Sequence, residues 1–400
     1  MENHWIRYVN SARVTPAFSR RGTVALALEL DWGQQQSILE LGAEEFRERA
    51  MPLLGYPREH PRLTPLRELF CHGQRVLLYR LGEGGRAAQC SFGFARYKGA
   101  RGNALSVTVV RWGEEHPGFC VATRLENKLV DFQTVLSASQ LEDNDYVLWN
   151  REALLQPVER LPFIGGENPP PAGKGEYRAF LEEVESHPFH ILGCCSPVRE
   201  VQDLFIRFTR WMREREGALF QTVLPGREKA TLGVLPVKAS RQGQSPDLLV
   251  PWISGILASS SYGKSCEGFA YDGEYYPDRP LFLHCDSVGL MLAPESPQPA
   301  RGPSSLKSSA ALGLADQIAN DMGVLYNRWY LGGAHAHKRD KQLEEKLGHY
   351  LCELEEQGVL EAGLHTRLVL SRGYGEDTPE ITFPVQAPGE ECFWITMIIY

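Results

Sequence analysis

A chain of 400 residues exceeds what one hydrophobic core organises, so two to four compact units are expected. Its 43% hydrophobic and 23% charged residues are the balance of an ordinary globular protein, which excludes wholesale disorder. A formal net charge of -8 opposes the neutralisation of phosphates, so no direct nucleic-acid partner is expected. The longest apolar runs fall well short of a membrane span, so no membrane insertion is expected either.

The N-terminal MENHWIRYVNSARV lacks the apolar centre of a secretory signal, which predicts folding in a cytoplasm. Residues 1–22 read as an extended arm leading into a strand, because TVALALEL from Thr23 alternates with Val24, Leu26, Leu28 and Leu30 on one face. RVLLYRL (Arg75 to Leu81) reads as a second strand of the same sheet, after a Pro-rich connection. Between Ala104 and Trp149 the runs ALSVTVV, FCVATRL, LVDFQTV and DYVLW predict closely spaced strands of a small β-sandwich or barrel. Gly and Pro in FIGGENPPPAGKGE place a domain boundary near Gly165 to Gly175.

Beyond that point the period changes. Tyr177, Phe180, Leu181 and Val184 share a helical face, FHILG reads as a short strand, and Val201 to Met212 is helical again before LFQTVL. With TLGVL, LVPWISGILASS and LFLHC the alternation predicts an α/β layer with a largely parallel sheet. After the linker PESPQPARGPSS, apolar spacing predicts two helices, one on Leu314, Ile318, Met322, Leu325 and Trp329, the other on Leu343, Leu347, Tyr350, Leu351 and Leu354. TRLVL, EITFPVQ and FWITMIIY read as closing strands. The last is apolar on both faces, an aggregation hazard unless it is central to its own sheet or shared with a neighbour.

Motifs for chemistry are weak. SSYGKS matches the end of a phosphate loop at Gly263, Lys264 and Ser265, but Ala258 stands where the first glycine belongs. His335 and His337 have no recognisable partner ligands, so no metal, cofactor or catalytic residue is assigned. An α/β hydrolase or transferase with scattered catalytic residues is the rival class. Nine scattered cysteines without a CxxC pair predict reduced thiols, mostly core filler.

Several segments, in order, resemble the contractile phage tail sheath family, in particular its Gram-positive myophage and phage-tail-like bacteriocin branch. They are RVTPAFSRRGTVALALELDWG, YKGARGNALSV, DNDYVLW, FIGGENP, PWISGILASSSYGKS and ADQIANDMGVLYNRWYLGG. In the last, Asp316, Gln317, Ile318 and Asp321 stand where the family has them; the following AHAHKRD departs from its pattern.

The resemblance implies an α/β core made from discontinuous parts, an inserted small β-sandwich or barrel domain, and extended N- and C-terminal arms. The corresponding ranges are 1–22 (arm), 23–85 (first part of the core), 86–163 (inserted β-rich domain), 164–293 (main α/β domain), 294–390 (C-terminal helices and strands) and 391–400 (arm strand). It implies a structural subunit of hexameric rings stacked around a tail tube protein, with baseplate and tail terminator proteins as further partners and a bacteriocin or injection-particle sheath as the alternative. Ile6, Val9, Val14, Phe393, Ile395, Met397 and Ile399 are the expected intersubunit arm residues, and Lys338, Arg339 and Lys341 the expected tube contact.

Overall fold

A computed structural model describes residues 5–10, 22–113, 117–226, 231–238, 245–260, 266–277, 280–286, 289–294, 309–330, 336–372, 379–388 and 392–399. In chain order the elements are β1 (Trp5–Asn10), β2 (Thr23–Glu29), β3 (Ile38–Gly42), α1 (Ala43–Leu54), α2 (Thr64–Phe70), β4 (Arg75–Leu81), β5 (Gln89–Cys90), β6 (Gly93–Ala95), β7 (Leu105–Arg111) and β8 (Phe119–Leu125). Then come β9 (Lys128–Val135), β10 (Val147–Trp149), β11 (Val158–Pro162), α3 (Lys174–Val184), β12 (Ile191–Gly193), α4 (Arg199–Trp211), β13 (Gln221–Pro225), β14 (Val234–Val237) and α5 (Pro246–Ser259). The chain closes with β15 (Phe282–Asp286), β16 (Gly289–Ala293), α6 (Ser309–Tyr330), α7 (Ala336–Glu356), β17 (Val369–Arg372), β18 (Pro379–Val385) and β19 (Phe393–Ile399).

Two compact units result, each built from discontinuous segments. The first comprises residues 1–26, 65–77 and 184–400. Its larger sheet has the order β15-β16-β14-β13-β12-β2-β4. The pairs β2–β12, β12–β13, β13–β14 and β14–β16 are parallel, and the edge pair β15–β16 is antiparallel. Parallel strands need cover on both faces, and the wholly buried residues of β13 and β14 fit that demand.

Helix α5 packs on β12, β13 and β14, and α4 packs on β13. Ten consecutive residues of α5, Leu249 to Ala258, are buried, so this helix is apolar all round rather than amphipathic. Gly255 permits its approach to α2, since a Cβ there would sit 2.3 Å from the Leu69 carbonyl oxygen.

A second core in this unit lies between α6 and α7 and the sheet β1-β19-β18-β17. Leu314, Ile318 and Met322 of α6 and Leu343, Leu347 and Leu351 of α7 are buried there, the faces their spacing predicts.

The other unit comprises residues 27–64 and 78–183. Its centre is a two-sheet sandwich, with β11-β7-β8-β9 facing β10-β6-β5 across a core that includes Val107, Val109, Val121, Val147 and Trp149. The chain returns to the first unit between Glu183 and Val184 rather than within Gly165 to Gly175. The physical reason is that residues 164–168 are docked by backbone bonds, Gln89 with Ile164 and Arg86 with Glu167, so a breaker-rich composition does not loosen them.

Other departures have local causes. Residues 43–70, read as a Pro-rich connection, form α1 and α2, with Pro52 tolerated because Arg49 already breaks the helical backbone. The N-terminal segment contains the strand β1. None of the nine cysteines forms a disulfide, and only Cys194 and Cys266 are buried, which corrects the expectation of core filler. Gly263, Lys264, Ser265 and His335 lie outside the described residues, as does the side chain of His337.

Candidate functional site

The two ends of the chain meet in one sheet. β19 pairs antiparallel with β18, Ile395 opposite Phe383, and parallel with β1, Ile6 opposite Ile395 and Val9 opposite Ile398. Within one chain the last strand is therefore an inner strand, where the 391–400 range was read as a projecting arm. Its alternation explains the burial: Phe393, Ile395 and Met397 face α6 and α7 and are buried, with Ile398 buried as well.

The side chains of Ile6, Val9 and Ile399 and all of Val14 lie outside what is described. Lys341 is exposed on α7, two residues before the buried Leu343; Lys338 and Arg339 lie in the same helix, with side chains that are not described.

This C-terminal layer is joined to the parallel sheet by buried polar contacts. After α4 the helix widens into a π turn at Met212–Glu216, which carries Arg213 inward and lies alongside β1. The Arg213 guanidinium donates in a bidentate pair to Asp316 of α6, at 2.6 and 2.7 Å, and to the Phe220 carbonyl at 2.8 Å. Both side chains are nearly closed to solvent, at 4% and 5% exposure. One turn along α6, Asn320 donates to the Leu219 carbonyl and accepts from the Leu219 amide. Nothing in the sequence pattern pairs Arg213 with a carboxylate 103 residues away; the only signal is that Asp316 belongs to the segment carrying the family resemblance.

A second buried polar cluster anchors the segment 271–276 to α2. Glu68, at 0% exposure, accepts from the Tyr271 hydroxyl at 2.9 Å and from the amides of Glu274 and Tyr275. Beside it Arg67 pairs with Glu274, while Asp272 accepts from Trp252 Nε1 and contacts His72. Desolvation raises the Glu68 pKa above the ordinary carboxylate value, although its three donors pull the other way.

A carboxyl that holds its proton more tightly folded than unfolded adds stability at low pH, and loses it as pH rises through the folded value. We therefore expect Glu68→Gln, which keeps an acceptor for the same donors without the buried charge, to melt at or above the parent temperature at pH 7.5. Glu68→Ala strands those donors and should cost about 2–4 kcal/mol. Thermal melts at pH 5 and 7.5 read both variants; equal losses would mean that the charge itself is required.

The glycine-bearing segments dock on one another. Asn103 donates to the Gly166 carbonyl and accepts from its amide, both at 2.8 Å, and Asn168 accepts from the Ala100 amide at 2.7 Å. Gly99, at φ +135°, leaves room for the Asp31 carbonyl, which a Cβ would strike at 2.1 Å. YKGARGN and FIGGENP are thus two halves of one turn assembly. Among the described residues no group of three or more His, Cys, Asp or Glu is placed to hold a metal ion, and no helix is long and apolar enough to cross a membrane.

Residues 21–81, which include β2, β3, α1, α2 and β4, match the family model for the N-terminal region of domain III of the tail sheath protein Gp18. A 302-residue alignment to the phage-like element PBSX protein XkdK of Bacillus subtilis, at 26% identity, points the same way. These likenesses support a contractile phage tail sheath family. The XkdK alignment takes in 67% of this chain but only 63% of that relative's length.

Solved tail sheath structures share the fold. The sheath tail protein of Desulfitobacterium hafniense superposes with a TM-score of 0.78 at 20% identity over 97% of this chain and 98% of that one. That of Listeria innocua gives 0.76 at 23% identity over 95% of each chain. The discontinuous core and the terminal sheet described above thus belong to a tail sheath fold.

Proposed function

We propose that this tail sheath protein polymerises as stacked hexameric rings around a tail tube, and that the sheath shortens and widens to drive the tube through a target cell envelope. The observation that carries this reading is the sheet β1-β19-β18-β17, which draws strands from both ends of the chain. The same ladder of hydrogen bonds forms whichever copy supplies β1 or β19, so neighbouring subunits can exchange terminal strands at little net cost.

The magnitudes agree with exchange. Ordering the seven residues of β19 costs about 7–14 kcal/mol at roughly 1–2 per residue, and burying Phe393, Ile395, Met397 and Ile398 returns about 6–12. The template sheet decides where the strand settles. Contraction is then a shift of population from a metastable extended lattice to one burying more intersubunit surface, with the terminal strands as hinges.

The intersubunit residues are Ile6, Val9, Val14, Phe393, Ile395, Met397 and Ile399. The tube-facing ones are Lys338, Arg339 and Lys341, at the start of α7, where a charged contact releases more readily than an apolar one. Assembly takes place in a bacterial cytoplasm, with baseplate and tail terminator proteins capping the sheath. The name of the PBSX relative, a phage-like element, favours a phage-tail-like particle as a second reading.

Electron microscopy of the purified chain, alone and co-expressed with a tube protein, tests the proposal. Hollow cylinders are expected, longer and more numerous on tubes. A chain that stays monomeric in both preparations would refute it.

A further inference from the structure

The inserted sandwich carries apolar side chains on both of its outer faces. On the sheet β11-β7-β8-β9 the strand register sets Val110, Cys120 and Thr134 in one outward row and Thr108, Ala122 and Phe132 in the next. Trp112 and Leu136 flank Gly118 at the end of the same face, where a Cβ would lie 3.4 and 3.6 Å from them. Val110, Trp112, Phe132 and Leu136 are 48–57% exposed, and across β7, β8 and β9 neither of the two rows holds a charged residue, the exposed Glu159 and Arg160 lying on the edge strand β11 beside Thr108.

The opposite sheet has its own outward row. Leu148 pairs with Phe94, Phe94 with Gln89 and Gln89 with Ile164, so these four side chains cross the sheet on one face. Leu148, Phe94 and Ile164 are 38–64% exposed, while the alternate residues Ala95, Val147 and Trp149 point into the core.

We infer that the two faces dock on each other between copies, the Phe132 face of one sandwich against the Phe94 face of the next. Three observations select a second copy of this chain as the occupant. Two different apolar faces on opposite sides of one small domain make a heterologous, head-to-tail contact, which propagates as a ring or filament, whereas one self-complementary face closes a dimer.

The area also fits. Four half-exposed large side chains present on the order of 400 Å², about half of what each partner of a standard stable complex buries, so the contact holds only between copies that other contacts already align. Finally, copies with a net charge of -8 repel, and these uncharged rows are places where they meet without that cost. The inference rests on the sheath reading, because that assembly supplies the alignment.

Opposite charges on the two faces test it. Phe132→Lys and Phe94→Glu, both at exposed positions, should each leave the thermal melt unchanged and cut cylinder number about tenfold by burying an unpaired charge. The double variant places Lys against Glu at every head-to-tail contact and should recover to within about threefold of the parent. In parent cylinders Cys120, inside the first face, should react with a maleimide more slowly than in the free chain, a reading that needs no variant.

Single variants that assemble like the parent, or Cys120 labelled equally in both states, overturn the inference. A double variant as poor as the singles overturns its head-to-tail form. A parent chain that forms no cylinders removes the sheath reading, and this contact with it; cylinders indifferent to every substitution remove this contact alone.

Discussion

Removing Glu391 to Tyr400 is expected to melt the layer formed by α6, α7 and the terminal sheet. The deletion takes Phe393, Ile395 and Met397 out of the core they share with Leu314, Leu347 and Phe383, and removes the buried Ile398 as well. At roughly 1.5–3 kcal/mol each, about 6–12 kcal/mol is lost, close to the ~5–15 kcal/mol that holds a typical domain folded. From sequence alone, a donated strand would leave each core intact; burial on the α6 and α7 side changes that expectation. Circular dichroism should show lost helix and a lowered melting temperature. If strands exchange between copies, a peptide with the sequence of Glu391 to Tyr400 should restore helix in trans. A truncated chain that melts like the parent would mean that β19 contributes nothing to this core.

Asp316→Ala is expected to be strongly destabilising. It takes the bidentate carboxylate away from the buried Arg213 guanidinium, a change that costs about 3–5 kcal/mol when one partner of a buried pair is removed. The double variant Arg213→Met with Asp316→Leu removes both charges and should recover most of that loss, because the pair spends much of its attraction on desolvation. Urea denaturation of the parent, both single variants and the double variant gives the coupling directly. A loss below about 1 kcal/mol for Asp316→Ala would place the pair in solvent and contradict its role as a joint.

Much of this fold is legible in the residues, and the exceptions have physical reasons. Alternation marks β7 and β8, which put one apolar face against a core, while β2 and β4 are marked by apolar runs buried on both faces. Helical spacing marks α4, α6 and α7 in the same way. α1 escapes notice because only Phe46, Ala50 and Leu54 of its twelve residues are buried and Pro52 interrupts it. β1 looks like an isolated mixed segment, since its partner β19 lies at the other end of the chain.

The assembly surfaces are harder to read. FWITMIIY announces a strand in need of cover, yet its sequence is the same whether the cover comes from α6 and α7 or from a neighbour. Phe132 and Phe94 sit in ordinary alternating strands, and periodicity cannot say that the face they occupy is left open. Glu68 in TPLRELF has the look of a solvated helix charge, while the fold closes over it and supplies three donors from residues 271–275. Arg213 and Asp316 are silent for the same reason: their pairing depends on a long-range approach that no local pattern encodes.

The central claim is that copies of this chain link through their terminal strands into a contractile cylinder, and a helical reconstruction of assembled protein by cryo-electron microscopy tests it most directly. The account predicts that the four-stranded sheet containing Phe393, Ile395 and Met397 is built from more than one copy, with the connections after Asn10 or before Phe393 crossing between subunits. Cylinders in which β1, β17, β18 and β19 of every sheet trace back to a single chain would contradict it.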